Sequence, residues 1–175
     1  MQVSTEAFMN RIFTLQQAML EVIEQNRNID RTDSPSLDWE RIHMISCAKV
    51  GYMMALDRGL DPEFCACACA VHDFGRIITG SQKNHSSAGA LPVQDFLRKT
   101  NLFSQDEIRL IALAGLNHSK KGEVGSPLEE LVKDADLVDY YSYGQTFKRQ
   151  DQIDRFENIA SGAGFLGKLR LEKNT

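Results

Sequence analysis

Four histidines stand in this chain, His43, His72, His85 and His118, and one of them ends the stretch CACACAVHDFG as a His-Asp pair, His72 and Asp73. Imidazole and carboxylate are the donors that suit Zn, Mn, Fe, Co or Ni. The three cysteines ahead of the pair, Cys65, Cys67 and Cys69, pose a choice. They could form a thiolate metal site, a half-buried strand, or an apolar helix that delivers His72 and Asp73. Asp61-Pro62 is a helix start, with an N-cap and a first-turn proline, and the alanine filling argues against a strand. On a helix, residues two apart point about 200° apart, so the three thiols do not converge. Cys65, Cys69 and His72 share a face, but the C-x-C spacing is not that of cysteine zinc sites. Free cysteine is among the most buried residue types. The thiols therefore read as core.

Taken singly, each histidine is more often a satisfied structural residue than a ligand, and a bare His-Asp dipeptide is a weak motif. The carboxylates carry more. Asp73 ends a helix that is apolar all round, and Asp136 lies in LVKDADLVD with Val132 and Tyr140 on its own helical face. His43 shares a face with Cys47 and Val50 and points toward the core. An unpaired carboxylate buried in such places costs several kcal/mol. No lysine or arginine stands on the cysteine helix before Arg76, so a divalent ion is a simple compensation.

The elements that must position these groups follow a helical period throughout. Phe8, Ile12, Leu15, Met19, Val22 and Ile23 form one stripe over residues 4–25. Ser34 or Ser36 can cap a second helix from about Leu37 to Leu60, ended at Gly59. The chain after Gly75 and Gly80 reads as loop. Further helix is predicted between His85 and Lys99, broken or restarted at Pro92. Ser104 with Glu107 forms a capping box before Ile108, Leu110, Ile111 and Leu113, and that helix breaks near Asn117 and His118. Ser126, Pro127 and Glu129 open a helix that turns Leu128, Leu131, Val132, Ala135 and Val138 inward. The tail from Gly144 is more polar, with Gly162, Gly164 and Gly167 close together, and is expected to be helical in part. The expected fold is all-α, a helical bundle forming a single domain over residues 1–175, with the N-terminal helix and the C-terminal tail packed on it.

Bulk properties narrow the classes. The 175 residues suffice for one core without staples. Apolar content of 42%, charged content of 25% and a net charge of -4 are those of an ordinary globular protein. No clustered basic face marks a nucleic-acid polymer as partner, and no apolar run approaches the roughly 20 residues that span a bilayer. The N-terminal MQVSTEAFMNRIF lacks the basic start of a signal peptide. Four cysteines, three of them crowded together, do not make a disulfide framework. The expected compartment is a reducing cytoplasm.

His43, then His72-Asp73 after an alanine-rich helix, then an aspartate in an "AD" step at Asp136 resembles the HD-domain metal-dependent phosphohydrolase superfamily. CACAVHDFGR is similar to that family's AALLHDIGK, NHSSAGA to its GHxxxGA element, NHS to its helix-end histidine, and VKDADLVDYY to its DADRLD stretch. The likeness covers about residues 36–143 and implies an all-α bundle. It implies that His43, His72, Asp73 and Asp136 ligate one metal ion. His85 and His118 match the extra histidines of members holding two, with Asp73 then bridging; Asp134 is the lesser alternative to Asp136. The implied cofactor is one or two divalent ions (Fe, Mn, Zn, Co or Ni). The implied activity is hydrolysis of a phosphoester or phosphoanhydride of a nucleotide or other small phosphorylated metabolite, falling below about pH 6 as the histidines protonate. Asp73 and Arg76 are then the catalytic candidates, and Arg76, Lys83, Ser119 and Lys120 the substrate-binding ones. Lys121 reads as a solvated charge. Tyr140, Tyr141 and Tyr143 line a pocket or pack in the core. HDFGRIITG lacks the Glu-Asp pair of guanosine-tetraphosphate hydrolases, and the GYP element of cyclic-di-GMP phosphodiesterases is missing. The resemblance leaves open a di-iron oxygenase, a non-catalytic nucleotide-binding or sensory module, and a homodimer.

Overall fold

The computed structural model describes residues 11–161 and 165–167, and all regular structure among them is helical. Phe8, Gly162 and Gly164 lie outside the described residues. The order is α1 (Arg11–Gln25), α2 (Leu37–Arg58), α3 (Pro62–Val71), α4 (Phe74–Thr79), α5 (His85–Gly89), α6 (Pro92–Thr100), α7 (Gln105–Asn117), α8 (Pro127–Ser142) and α9 (Gln150–Ala160).

Local chemistry sets most of the boundaries. Ser36 caps α2, its hydroxyl accepting from the Trp39 amide at 3.2 Å. Gly59 ends α2 in the left-handed conformation, φ 66°. Asp61 caps α3 by accepting from the Phe64 amide at 3.0 Å, with Pro62 at the first turn. Reciprocal capping boxes open α7 (Ser104 and Glu107) and α8 (Ser126 and Glu129). Each such cap contributes about 1 kcal/mol.

α3 is the central element, packed against α1, α2, α7 and α8. Every side chain from Cys65 to Val71 is buried. Alanine and cysteine are small, so the neighbouring helices approach closely. A Cβ at Gly51 of α2 would stand 2.5 Å from Cys69 Sγ, which is why glycine is required there. Cys47, Cys65, Cys67 and Cys69 are all free and buried. Burial pushes the Cys65 thiol up to about 11 and the Cys67 thiol up to about 12, so both are protonated packing groups at neutral pH.

The loop expected after Gly75 is not there: α4 runs through that residue. Glycine serves here as a contact surface instead of a breaker. A Cβ on Gly75 would lie 2.0 Å from the His85 carbonyl oxygen and 2.6 Å from the Gly89 amide nitrogen. α4 and α5 therefore cross backbone to backbone at Gly75 and Gly89, a closeness only two glycines permit. Gly80, at φ 67°, does end α4, and Pro92 does restart the chain as α6.

Candidate metal centre

All four histidines meet, and each is tethered by the same ring nitrogen. His43 Nδ1 bonds Asp139 Oδ2 at 2.6 Å, and His72 Nδ1 bonds the Cys69 carbonyl at 2.6 Å. His85 Nδ1 bonds the Gln82 carbonyl at 2.8 Å, and His118 Nδ1 bonds the Gly115 carbonyl at 2.6 Å. Carbonyls and carboxylates only accept, so Nδ1 carries the proton in every ring. In the neutral ring Nε2 is then a bare lone pair, the tautomer of a metal ligand. These Nε2 atoms face one another in pairs, His43 to His72 at 3.2 Å and His85 to His118 at 3.1 Å. Two lone pairs so placed repel unless a cation stands near them.

Asp73 lies between the pairs. Its Oδ2 is 3.4 Å from His43 Nε2 and 3.1 Å from His72 Nε2. Its Oδ1 is 3.1 Å from His85 Nε2 and 3.4 Å from His118 Nε2. Asp136 Oδ1 closes the first pair, 3.3 Å from His43 Nε2 and 3.6 Å from His72 Nε2. Asp73 Oδ1 is a buried atom with no hydrogen-bond partner among the described residues, and leaving such an oxygen unsatisfied is costly. Three overlapping donor groups, His43–Cys47–His72, His72–His118–Asp136 and Asp73–His85–His118, each bring donor atoms within 4.8 Å of one another, the spacing of ligands around one ion. The orphaned oxygen and the facing lone pairs together fit a divalent cation.

Buried charge tells the same story. Burial opposes ionisation of Asp73, but the Arg76 charge and the imidazoles hold it well below the usual carboxylate range. Asp136 is likewise held low against burial, chiefly by Lys121 and then by His43 and His72. Burial works against protonation of His43 and His72 too, yet the surrounding carboxylates raise both. His118, for which burial dominates, is pushed down to about 4. The carboxylates thus demand positive charge, which either protons or a metal ion can supply.

Around this floor is a cleft of about 620 Å³ whose lining includes Pro35, Trp39, Leu137 and Tyr140. Trp39 stacks on His43, centroids 5.4 Å apart and planes 15° off parallel. Ser119 lines the cleft, and its hydroxyl meets that of Ser86 at 2.8 Å. Arg76 also lines it, but its nitrogens are engaged by Glu40, Gln82 and Asp73. Lys83 and Lys120 are exposed and lie outside the lining. Asp134 pairs with Arg58 and Arg155, away from the histidines. Of the tyrosines, Tyr140 borders the cleft, Tyr143 packs edge-on to Trp39, and Tyr141 packs on Phe147 and Phe156.

Among the residues around the centre, the expectation for Lys121 is corrected. Lys121, expected as a solvated charge, is only 4% exposed. Its Nζ donates to Asp136 Oδ2 at 2.6 Å and to the Lys133 carbonyl at 3.1 Å. The loop after His118 folds back under α8, where the Asp136 carboxylate needs a cation. Two further residues escaped the sequence reading. Asp139, 1% exposed, orients His43, and Glu40, 1% exposed, binds both Arg76 and Arg31. Helical spacing could have found them, since Asp139 follows Asp136 by three and Glu40 precedes His43 by three.

Residues 41–144 match the family model described as HD domain. Among curated proteins, the chain is similar to ribonuclease Y of Chlorobium luteolum (strain DSM 273 / BCRC 81028 / 2530), 29% identical over 131 residues. That match takes in 73% of the chain but 23% of the relative, so the chain spans about a quarter of that protein's length. M-zodatoxin-Lt5a of Lachesana tarabaevi is 30% identical over 61 residues, covering 35% of the chain and 66% of the toxin. No solved structure matches the chain. Among the described residues no helix is long and apolar enough to cross a membrane.

Proposed function

The chain belongs to the HD domain family, and on that footing we propose that it is a metal-dependent phosphohydrolase acting on a small phosphorylated metabolite, a nucleotide among the candidates. One observation carries the reading. Four imidazole Nε2 atoms and the carboxylates of Asp73 and Asp136 converge at the floor of one cleft, each Nδ1 already tied off. We assign His43, His72, Asp73, His85, His118 and Asp136 as the ligands of one or two divalent ions.

A divalent ion held there would polarise a phosphoryl oxygen and let water attack near neutral pH. The chain's own groups supply orientation. Asp139 and the carbonyls of Cys69, Gln82 and Gly115 fix the four rings. Arg76, braced by Glu40, holds Asp73 Oδ2 and leaves Oδ1 toward His85 and His118. Lys121 occupies Asp136 Oδ2 and leaves Oδ1 toward His43 and His72. Ser119 offers a hydroxyl to substrate oxygen, and Trp39 and Tyr140 form a wall against which an apolar or aromatic leaving group can rest. The cleft volume suits a small molecule.

The likeness to ribonuclease Y raises RNA as a second substrate class, while the net charge of -4 speaks against a long polyanion. The test is a panel of metals (Mn, Co, Zn, Ni, Fe) against nucleotides, cyclic dinucleotides, sugar phosphates and short RNA, with Asp73→Ala as control. Metal-stimulated release of phosphate or of a phosphomonoester, lost in Asp73→Ala, is expected. Loading with iron in air that yields a mixed-valent electron paramagnetic signal, with no phosphate-ester turnover by any metal, would replace the hydrolase with an oxygenase.

A further inference from the structure

The cations around the cleft do not stand equal. Arg76 has its nitrogens engaged by Glu40, Asp73 and Gln82. Lys121 is tied to Asp136, and Lys83 and Lys120 lie outside the lining. Two cations of the cleft remain, Lys148 and Arg149, both on the linker between α8 and α9. Lys148 is exposed and has no hydrogen-bond or ion-pair partner among the described residues.

The linker is pinned on either side of Lys148. Before it, Phe147 sits among aromatic rings, 6.0 Å from Tyr140, 6.2 Å from Tyr141 and 5.0 Å from Phe156. After it, Arg149 Nη2 donates to the Ser119 carbonyl at 2.7 Å, one residue beyond His118. Asp151 accepts from Arg149 Nε at 3.0 Å and from Nη2 at 2.9 Å, leaving Nη1 as its remaining donor pair. Anchors in the adjacent residues thus fix the chain at Lys148, an unpaired lysine that lines the cleft next to Arg149.

We propose that Lys148, supported by Arg149, is a second anion subsite, so that the substrate class is a small phosphorylated compound bearing another anionic group, a carboxylate or a second phosphate, away from the phosphoryl that reacts. This rests on the phosphohydrolase reading. The histidine and aspartate floor takes the reacting phosphoryl, and the linker cations take the distal anion, so compounds lacking that anion are discriminated against at binding.

Non-hydrolysable probes test the subsite without turnover. Alkylphosphonates with chains of two to four carbons are compared by calorimetry with their ω-carboxylate counterparts on the manganese-loaded chain. At one chain length the carboxylate compound should bind about fivefold more tightly, as expected for one partly solvated charge contact. Lys148→Ala should abolish that preference while leaving manganese content and melting temperature unchanged, and Lys99→Ala, exposed on α6 and outside the cleft lining, should preserve it. No preference at any length, or a preference that survives Lys148→Ala, overturns the subsite and leaves the hydrolase reading intact. Failure of every phosphonate to bind manganese-loaded protein overturns both.

Discussion

Gly75→Ala adds one methyl group at the point where α4 and α5 touch, and the structure sets the size of the effect. The new Cβ would stand 2.0 Å from the His85 carbonyl oxygen, 2.6 Å from the Gly89 nitrogen and 2.9 Å from the Gly89 Cα. All three are backbone atoms, so no rotamer change relieves the clash. To reach even 3.0 Å the His85 carbonyl must retreat by at least 1.0 Å, the difference between that limit and the contact above. Overpacking of this kind costs about 3 kcal/mol, and the gain in helix propensity offsets about 1 kcal/mol. The net of about 2 kcal/mol lowers the melting temperature of the metal-free chain by about 4–8 °C at this size. The retreat carries His85 with it and strains the Asp73–His85–His118 group, while His43 on α2, His72 at the C-cap of α3 and Asp136 on α8 lie on elements away from that contact. Thermal unfolding of the metal-free variant and manganese calorimetry are the assays. The variant should keep one ion near wild-type affinity and lose the second by tenfold or more, a loss of the order seen when ligand orientation is disturbed. Gly115→Ala is the control, since its Cβ meets only His72 backbone atoms at 3.6 Å and 3.8 Å. An unchanged melting temperature with unchanged manganese binding in Gly75→Ala would refute the reasoning.

Three more outcomes follow from the geometry. Asp139→Ala removes the acceptor that orients His43 and should weaken manganese binding by about 10–100-fold, read by calorimetry; equal affinity would show that the ring is held by packing alone. Lys121→Met leaves Asp136 Oδ2 without its cation and should destabilise the metal-free chain by about 3 kcal/mol, with manganese restoring part of the loss in thermal unfolding; a melting temperature equal to wild type would contradict this. Burial works to raise the Glu130 carboxyl, but hydrogen bonds from Lys133, Arg155 and the Gly125 amide together outweigh it and hold the group down at about 2. Its folded pKa is depressed, so its contribution is complete above about pH 5 and is lost as pH falls toward 2. That contribution is about 1–2 kcal/mol once solvent screening is allowed for. In Glu130→Gln this share of the acid-side slope should vanish from denaturant unfolding curves taken between pH 6 and pH 3, and a variant with the full wild-type slope would count against the network.

What the sequence made legible was local, or tied to spacing. The caps at Asp61, Ser104 and Ser126 read directly, and Ser36 as one of two candidates with Ser34, because a hydroxyl or carboxylate and an amide three residues on are neighbours whatever the rest of the chain does. The burial of α3 followed from its having no polar face. Gly75 was misread because a helical glycine looks the same whether it breaks the helix or presents bare backbone to another one, and only the partner Gly89 distinguishes the two. Lys121 was misread for a related reason. A lysine in a glycine-rich loop is exposed by default, and the carboxylate that draws it inward lies 15 residues away. Convergence of His85 and His118 on Asp73 depends on three loops and helices at once, so spacing could suggest only their types. Lys148 and Arg149 went unseen because the linker that carries them is brought to the cleft by long-range contacts, among them Phe147 on Phe156 and Arg149 on the Ser119 carbonyl.

The most direct test of the central claim is anomalous diffraction at the manganese edge from crystals of the full chain grown with excess manganese. Peaks among the Nε2 atoms of His43, His72, His85 and His118 and the carboxylates of Asp73 and Asp136 are the expected result. No anomalous density at that floor, with manganese bound elsewhere or nowhere, would contradict the account.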